Sequence, residues 1–387
     1  MPVPPKAAKK KSPSIYDVLI VGAGPAGLGV GVALRGMGLR SLAIIDAGKL
    51  GDSFRRWPEG MRLITPSFTG NQYGTTDLNS IHPSTSPAFT LETEHPTGQQ
   101  YADYLGVIAN WAGLPVMEKT PLQGLRKEGK LFHVDTPKGT LLAKNVVWAA
   151  GEFHWPKRAS FPGAEHAQHN SQVKSWKKLP GKEFVIIGGY ESGIDAAFHL
   201  INAGKKATVI DNSAPWFSHD SDPSVTLSPY TRDRLRLAEA SGRLTLLKGK
   251  VTAIEKAKGG YSVAAGKKRL RTASKPILAT GFQSSLALIK DQFAWDGDVA
   301  KVRVQDDQST KTPGLYLAGP ALRHKVKGKL LVFCFIYKYR GRFPIVAESI
   351  GKSLGIKKAE LERMVKFYKK EGMFLDDLSC CGDDCAC

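Results

Sequence analysis

The apolar positions of this 387-residue chain fall into short continuous runs, broken by glycine and followed by helical spacing. Residues 18–21 (VLIV) read as a strand buried on both faces. Gly22, Gly24 and Gly27 then interrupt the run as G-x-G-x-x-G, and helix-forming sequence follows to residue 34. A second apolar strand over 41–45 ends on Asp46. In that context Gly22 permits a tight turn, Gly24 lets the backbone approach a pyrophosphate, and Gly27 lets helix and strand pack closely. Pro25 and Ala26 open the helix, whose N-terminus offers unpaired N–H groups and a positive dipole end to phosphates. Asp46 is placed to accept hydrogen bonds from a ribose.

The pattern then returns. Residues 184–187 form an apolar strand, Gly188, Gly189, Tyr190, Glu191, Ser192 and Gly193 turn the chain, and 194–203 read as a helix. A further strand over 206–210 ends on Asp211. Each unit continues into β-rich sequence, at 122–149 and 244–265. Each also closes with a similar phrase, one running to Gly151 and the other to Gly281. Two nucleotide folds in one chain imply two nucleotide cofactors, and electron transfer between them is the economical chemical reason.

On these residues the chain resembles the two-dinucleotide-binding-domain flavoproteins of the pyridine nucleotide–disulfide oxidoreductase superfamily. Within them it is similar to the flavin monooxygenase-like and bacilliredoxin-reductase-like branches. The likeness runs from about residue 15 to 351 and rests on GAGPAGLG, the two closing phrases and the late segment TPGLYLAG at 312–319. It implies an α/β fold in which an FAD-binding Rossmann-like domain carries an inserted second Rossmann-like domain for NAD(P)H. FAD would occupy the first site and the nicotinamide nucleotide the second, with Gly319 beside the flavin. Pro320 stands where the family motif usually has Asp, which removes one polar contact. The acid at Asp211 would pair with a free ribose diol and repel a 2′-phosphate, and 212–215 (NSAP) offer no cation, so NADH is expected over NADPH. Tyr190, at the position of the middle glycine, would either shift the nucleotide or gate it.

The expected organisation is a basic tail over 1–13, FAD-domain sequence over 14–150, and a Pro- and Lys-rich linker over 151–181. The NAD(P)H domain then covers 182–275, the FAD domain resumes over 276–370, and 371–387 form a Cys-rich tail. Apolar spacing at Tyr101, Tyr104, Leu105, Ile108 and Trp111 predicts an amphipathic helix. No apolar stretch of 18 residues or more survives the glycines and charges, so no membrane span is expected. The lysine-rich start lacks the apolar core of a secretory signal, which makes cytoplasmic location the default expectation. The net charge of +20 would attract polyanions. No nucleic-acid motif accompanies it, so it reads as a solvated surface that steers anionic cofactors, with a small molecule as substrate. A homodimer is left open.

The reaction beyond flavin reduction is less clearly written. Disulfide reductases of these families carry a cysteine pair next to the flavin, whereas the first cysteine here is Cys334. Flavin without an inner dithiol points toward oxygen and a monooxygenase-like reaction. His169, in the linker, is a candidate to hydrogen-bond near the nicotinamide. Ser53 and Trp57 are placed to line the flavin, and Ser67 to approach its ring system. Four of the five cysteines, Cys380, Cys381, Cys385 and Cys387, fall in the last eight residues. Close thiolates suit soft metals such as Zn²⁺, Cu(I), Hg²⁺ or As(III). Alternatively Cys380 and Cys381 act as a mobile dithiol, since 371–387 fully extended would span about 55 Å. A thiol, disulfide or metal reductase is therefore the second reading, and a nucleotide-binding sensor without turnover the third.

Overall fold

Two sheets grow from the two glycine-interrupted strands, the second all parallel and the first parallel except at one edge, where Gly124–Glu128, Leu131–Thr136 and Gly139–Trp148 pair antiparallel. β1 (Ile15–Val21), α1 (Pro25–Gly36) and β2 (Leu42–Ile45) open the first. Short helices α2 (Asp52–Arg55) and α3 (Pro87–Leu91) precede the longer α4 (Gly98–Trp111), and β3 (Val116–Met117) to β6 (Gly139–Trp148) complete the unit through β4 (Gly124–Glu128) and β5 (Leu131–Thr136). The sheet order is β3-β2-β1-β6-β5-β4. β1 pairs in parallel with both β2 and β6. Val18, Leu19, Ile20, Ile44, Val146 and Val147 are fully buried, as expected for strands covered on both faces. The computed structural model describes residues 15–69, 76–218 and 226–378. Among the described residues no helix is long and apolar enough to cross a membrane.

The second sheet has the order β10-β9-β8-β14-β7. It contains β7 (Gln168–His169), β8 (Glu183–Ile187), β9 (Lys206–Asp211), β10 (Leu244–Lys248) and β14 (Ile277–Leu278), with α5 (Glu191–Asn202) and α6 (Pro229–Ala240) between strands. A three-stranded antiparallel sheet of β11 (Val251–Ala257), β12 (Gly260–Ala265) and β13 (Lys268–Thr272) precedes β14. The second sheet therefore reaches outside the 182–275 segment on both sides, because Ile277 pairs with Ile186 on one edge and with Gln168 on the other. A two-residue strand is too short to announce itself in a hydrophobic pattern.

The chain then returns to the first sheet. Hairpin strands β15 (Ala294–Asp296) and β16 (Val299–Lys301) lead to β17 (Leu315–Leu317), which pairs in parallel with the last three residues of β6. β5 covers the earlier part of that same edge, so the long strand β6 serves two neighbours in turn. A second hairpin, β18 (Arg323–Val326) and β19 (Lys329–Val332), is followed by α7 (Ile336–Tyr339), α8 (Phe343–Ser353) and α9 (Lys358–Lys370). Arg342, at the start of α8, bonds Asp307 through two nitrogens at 2.9 and 2.8 Å, and His324 bonds the same carboxylate at 2.7 Å. All three are buried, so the ion pair ties three distant segments together inside the core.

The amphipathic helix expected around 99–111 is α4, closed at its N-terminus by a reciprocal Thr97–Gln100 capping box. Tyr101, Tyr104, Leu105 and Ile108 are buried, but Trp111, the last helical residue, is 59% exposed.

Close packing of α1 on β1 depends on Gly27. A methyl group there would lie 1.9 Å from the Gly22 carbonyl oxygen, which is backbone and has no rotamer to yield. Gly27→Ala should cost about 1–3 kcal/mol and lower the thermal midpoint by several degrees, read by circular dichroism. An unchanged midpoint would show that helix and strand can separate without loss.

Candidate functional site

Both glycine turns are built by the same contacts. At the first, the Gly22 amide donates to the Ile45 carbonyl at 2.8 Å and the Ala149 amide to the Val21 carbonyl at 2.8 Å. At the second, the Gly188 amide donates to Ile210 at 2.9 Å and the Ala279 amide to Ile187 at 2.8 Å. Gly22 and Gly188 have φ of +112° and +104°, a region that favours glycine. A methyl group on either would strike the carbonyl of Ala149 or Ala279, at 2.3 and 2.2 Å. Gly193 repeats the Gly27 contact, 1.9 Å from the Gly188 oxygen.

The acids that end the second strands face inward to these turns. Asp46 accepts from the Ala23 amide at 2.8 Å and from Gly48 at 2.7 Å. Asp211 accepts from the Gly189 amide at 2.8 Å, from the Ser213 amide and hydroxyl at 2.8 and 2.7 Å, and from Ala214 at 2.9 Å. Ala23 and Gly189 occupy equivalent places, between the first two positions of each motif. Burial raises the Asp46 pKa, and its two amide bonds only partly offset this. Burial also acts to raise Asp211, but its hydroxyl and amide donors outweigh it and the net shift is downward. Both carboxylates therefore hold their turns in shape.

The first turn fits a dinucleotide pyrophosphate. Gly24 caps α1 without a side-chain bond, and a methyl group on it would meet nothing within 4 Å. Pro25 is the first helical residue and Ala26 is buried behind it. Gly319 (φ +92°) packs so closely on this turn that a methyl group would come 2.9 Å from the Ala26 Cβ. The returning segment thus lies beside the N-terminus of α1. The Gly51 amide donates to the Ala23 carbonyl at 3.0 Å, which brings α2 and Ser53 to the same turn. Trp57 packs on Phe54 with ring centres 4.9 Å apart. Gly151 (φ +68°) has open space around it.

Charged groups that spacing did not single out gather at this end. His154 Nε2 lies 3.6 Å from Asp52, with burial and Arg56 lowering its pKa while Asp52 and Asp46 act the other way. Glu152, raised by burial, sits 3.8 Å from Arg323, which also donates to the Pro320 carbonyl at 2.8 Å. Their signal was adjacency: each lies within three residues of a motif glycine, of Pro320 or of α2.

Other candidates are placed differently. The second turn carries Tyr190 at the N-cap of α5, its hydroxyl donating to the Thr226 carbonyl at 2.6 Å. Glu191 accepts from the Ser228 amide at 2.5 Å and from the Thr231 hydroxyl, so its carboxylate is committed to the start of α6. Ser192 is half-buried in the same turn. Gly281 (φ +77°) is open above and accepts His169 Nε2 through its carbonyl at 3.0 Å. His169 Nδ1 accepts from the Ser171 amide at 3.3 Å and meets its hydroxyl at 2.8 Å. Both ring nitrogens are thus engaged, and burial lowers the pKa first among its causes. The geometry makes His169 a strap that positions Gly281. Ser67 is 2% exposed and accepts from the Asn79 amide at 2.9 Å, within a polar group bound by Arg340 through the Asp77 and Ser80 carbonyls. Cys380, Cys381, Cys385 and Cys387 lie outside the described residues.

Gly24→Val separates fold from site. Its backbone (φ −91°, ψ −172°) suits any residue and its Cβ strikes no protein atom, so the chain should fold. The branched side chain should fill the phosphate space, and the purified variant should lose its flavin absorbance. A yellow variant with normal flavin content would place the dinucleotide elsewhere.

Comparison with known proteins agrees with this construction. An uncharacterized oxidoreductase CzcO of Bacillus velezensis is 28% identical over 193 residues, 48% of this chain and 52% of that protein, so the match spans about half the relative's length. The solved bacillithiol disulfide reductase Bdr (YpdA) from Staphylococcus aureus superposes with a TM-score of 0.72 at 19% identity, covering 88% of this chain and 99% of that one. A flavin-containing monooxygenase from Stenotrophomonas maltophilia gives a TM-score of 0.64 at 18% identity over 92% and 99%. At these identities the two structures share the fold. The family model for pyridine nucleotide-disulphide oxidoreductase matches residues 19–319, and the chain belongs to that family.

Proposed function

We infer that this chain is an FAD-dependent oxidoreductase in which NADH, in preference to NADPH, reduces the flavin, followed by a monooxygenase-like reaction with oxygen on a small molecule. The observation that carries this reading is the pair of equivalent glycine turns, each held by a strand-terminal aspartate, in a chain with no cysteine before Cys334. Two turns support two nucleotides, and the missing inner dithiol removes the usual route from flavin to a disulfide. The flavin, when bound, supplies the exchange of electrons between nicotinamide and oxygen. The chain's own residues bind and orient. The open N-terminus of α1 and Gly24 would hold the FAD pyrophosphate, Asp46 its ribose, and Asp211 the nicotinamide nucleotide's ribose. Gly151 and Gly319 keep the backbone low around the ring system, and Glu152, His154 and Arg323 set its electrostatics. The monooxygenase of similar fold is consistent with this reading.

A second reading, a thiol, disulfide or metal reductase, is favoured by the density of cysteines at 380–387 and by the likeness in fold to Bdr. In that case the tail would carry electrons from flavin to the acceptor. Truncation after Leu378 separates the two. On the monooxygenase reading, anaerobic NADH bleaches the flavin of both full-length and truncated protein, and oxygen restores both at the same rate. Faster restoration by a disulfide or Hg²⁺, lost on truncation, would overturn it in favour of the second.

Selectivity for NADH should rest on Asp211. Asp211→Ala should weaken NADH several-fold more than NADPH in the concentration dependence of flavin reduction. Equal losses for the two nucleotides would mean that Asp211 shapes the turn without reading the ribose.

A further inference from the structure

The two glycine turns differ at one position whose backbone is the same in both. Gly24 has φ −91° and ψ −172°, and Tyr190 has φ −86° and ψ −165°. Each is the N-cap of the helix that follows its turn, so the Cα–Cβ bond of Tyr190 points as a Cβ on Gly24 would. At Gly24 that direction meets no other residue within 4 Å among the described residues, so a pyrophosphate can approach the helix there. At Tyr190 it leads into a phenol ring.

The ring is held there. Its hydroxyl donates to the Thr226 carbonyl at 2.6 Å. The next residue, Glu191, accepts from the Ser228 amide and hydroxyl at 2.5 and 3.2 Å and from the Thr231 hydroxyl. Two consecutive side chains of the first turn of α5 thus bind the segment that leads into α6. On the other side of the turn, the buried Trp216 ring lies so close to Gly189 that a methyl group there would be 2.2 Å away. At the N-cap of α1 there is no side chain, whereas at that of α5 stands a tethered tyrosine.

We propose that Tyr190 is the gating residue of the nicotinamide-nucleotide site: in this conformation it occupies the pyrophosphate position, and nucleotide enters only when its hydroxyl leaves the Thr226 carbonyl and the ring rotates away. The proposal rests on the reading of the second fold as the nicotinamide-nucleotide site. The gate acts at the diphosphate, which NADH and NADPH share, so it lowers affinity for both equally and leaves discrimination to Asp211. A site competent only a fraction of the time binds more weakly by that fraction. Loosening the closed state should therefore tighten binding, which is the opposite of removing a contact residue.

The test is calorimetric titration of the flavin-loaded protein with NAD⁺ and with NADP⁺, comparing wild type, Tyr190→Phe and Tyr190→Gly. Tyr190→Phe keeps the ring and removes the hydroxyl that bonds the Thr226 carbonyl. Its Kd for both nucleotides should fall about three- to tenfold, the size expected of one part-buried hydrogen bond, with the NAD⁺/NADP⁺ ratio unchanged. Tyr190→Gly, checked by flavin content and circular dichroism, should bind at least as tightly as the Phe variant. If the Phe variant binds both nucleotides as wild type does, or more weakly, the gate is wrong while the nicotinamide-nucleotide reading stands. If wild type binds neither and Tyr190→Gly binds, the gate is supported in its strictest form. If no form binds either nucleotide, both the gate and the reading of the second fold fall together.

Discussion

A single kind of hydrogen bond underlies the whole arrangement: a strand-terminal carboxylate accepting from the amide inside a glycine turn. Asp46 does this to Ala23 and Asp211 to Gly189, both at 2.8 Å. In each unit the bond ties the end of the second strand to the turn that precedes the helix. A half-buried carboxylate is costly unless its oxygens are satisfied, so the acid and the turn stabilise each other. Gly22 and Gly188 can then take a positive φ against the carbonyls of Ala149 and Ala279. The strand preceding each of those alanines is thereby brought to the same point. Every candidate cofactor contact in the molecule is measured from one of these two clamps.

Duplicate scaffolding makes the differences informative. At the first clamp Gly24 leaves the helix N-cap without a side chain, and Gly319 packs against Ala26. At the second, Tyr190 and Glu191 stand at the helix start with their side chains bonded to 226–231, and Trp216 packs against Gly189. A permanently bound cofactor needs an open, preorganised cradle. A nucleotide that arrives, reacts and departs can tolerate a site that closes behind it. The contrast in side chains is what the proposed assignment, a resident flavin at the first clamp and a visiting electron donor at the second, would require.

Much of this was legible in the sequence because it is local. The apolar runs, the glycine spacing and the terminal acids lie within about 30 residues of each other, and their geometry follows from chain connectivity alone. Helix α4 was readable from its period. What was not legible depends on contacts between distant segments. Nothing near His169 announces that Gly281, 112 residues on, takes up one of its nitrogens. Glu191 looked like part of a phosphate turn, and only tertiary packing commits its carboxylate to Ser228 and Thr231. The buried Asp307–Arg342–His324 group, spanning 35 residues, has no spacing that distinguishes it from surface charge.

The central claim is that one chain binds two different dinucleotides at two equivalent clamps. The most direct measurement is a crystal structure of the purified yellow protein soaked anaerobically with a non-reducing NADH analogue. The account requires FAD density with its pyrophosphate over Gly24 and the N-terminus of α1. It also requires the analogue's diphosphate at α5, with Tyr190 rotated from Thr226. FAD at the second clamp, or a first clamp free of dinucleotide in a flavin-containing crystal, would contradict it.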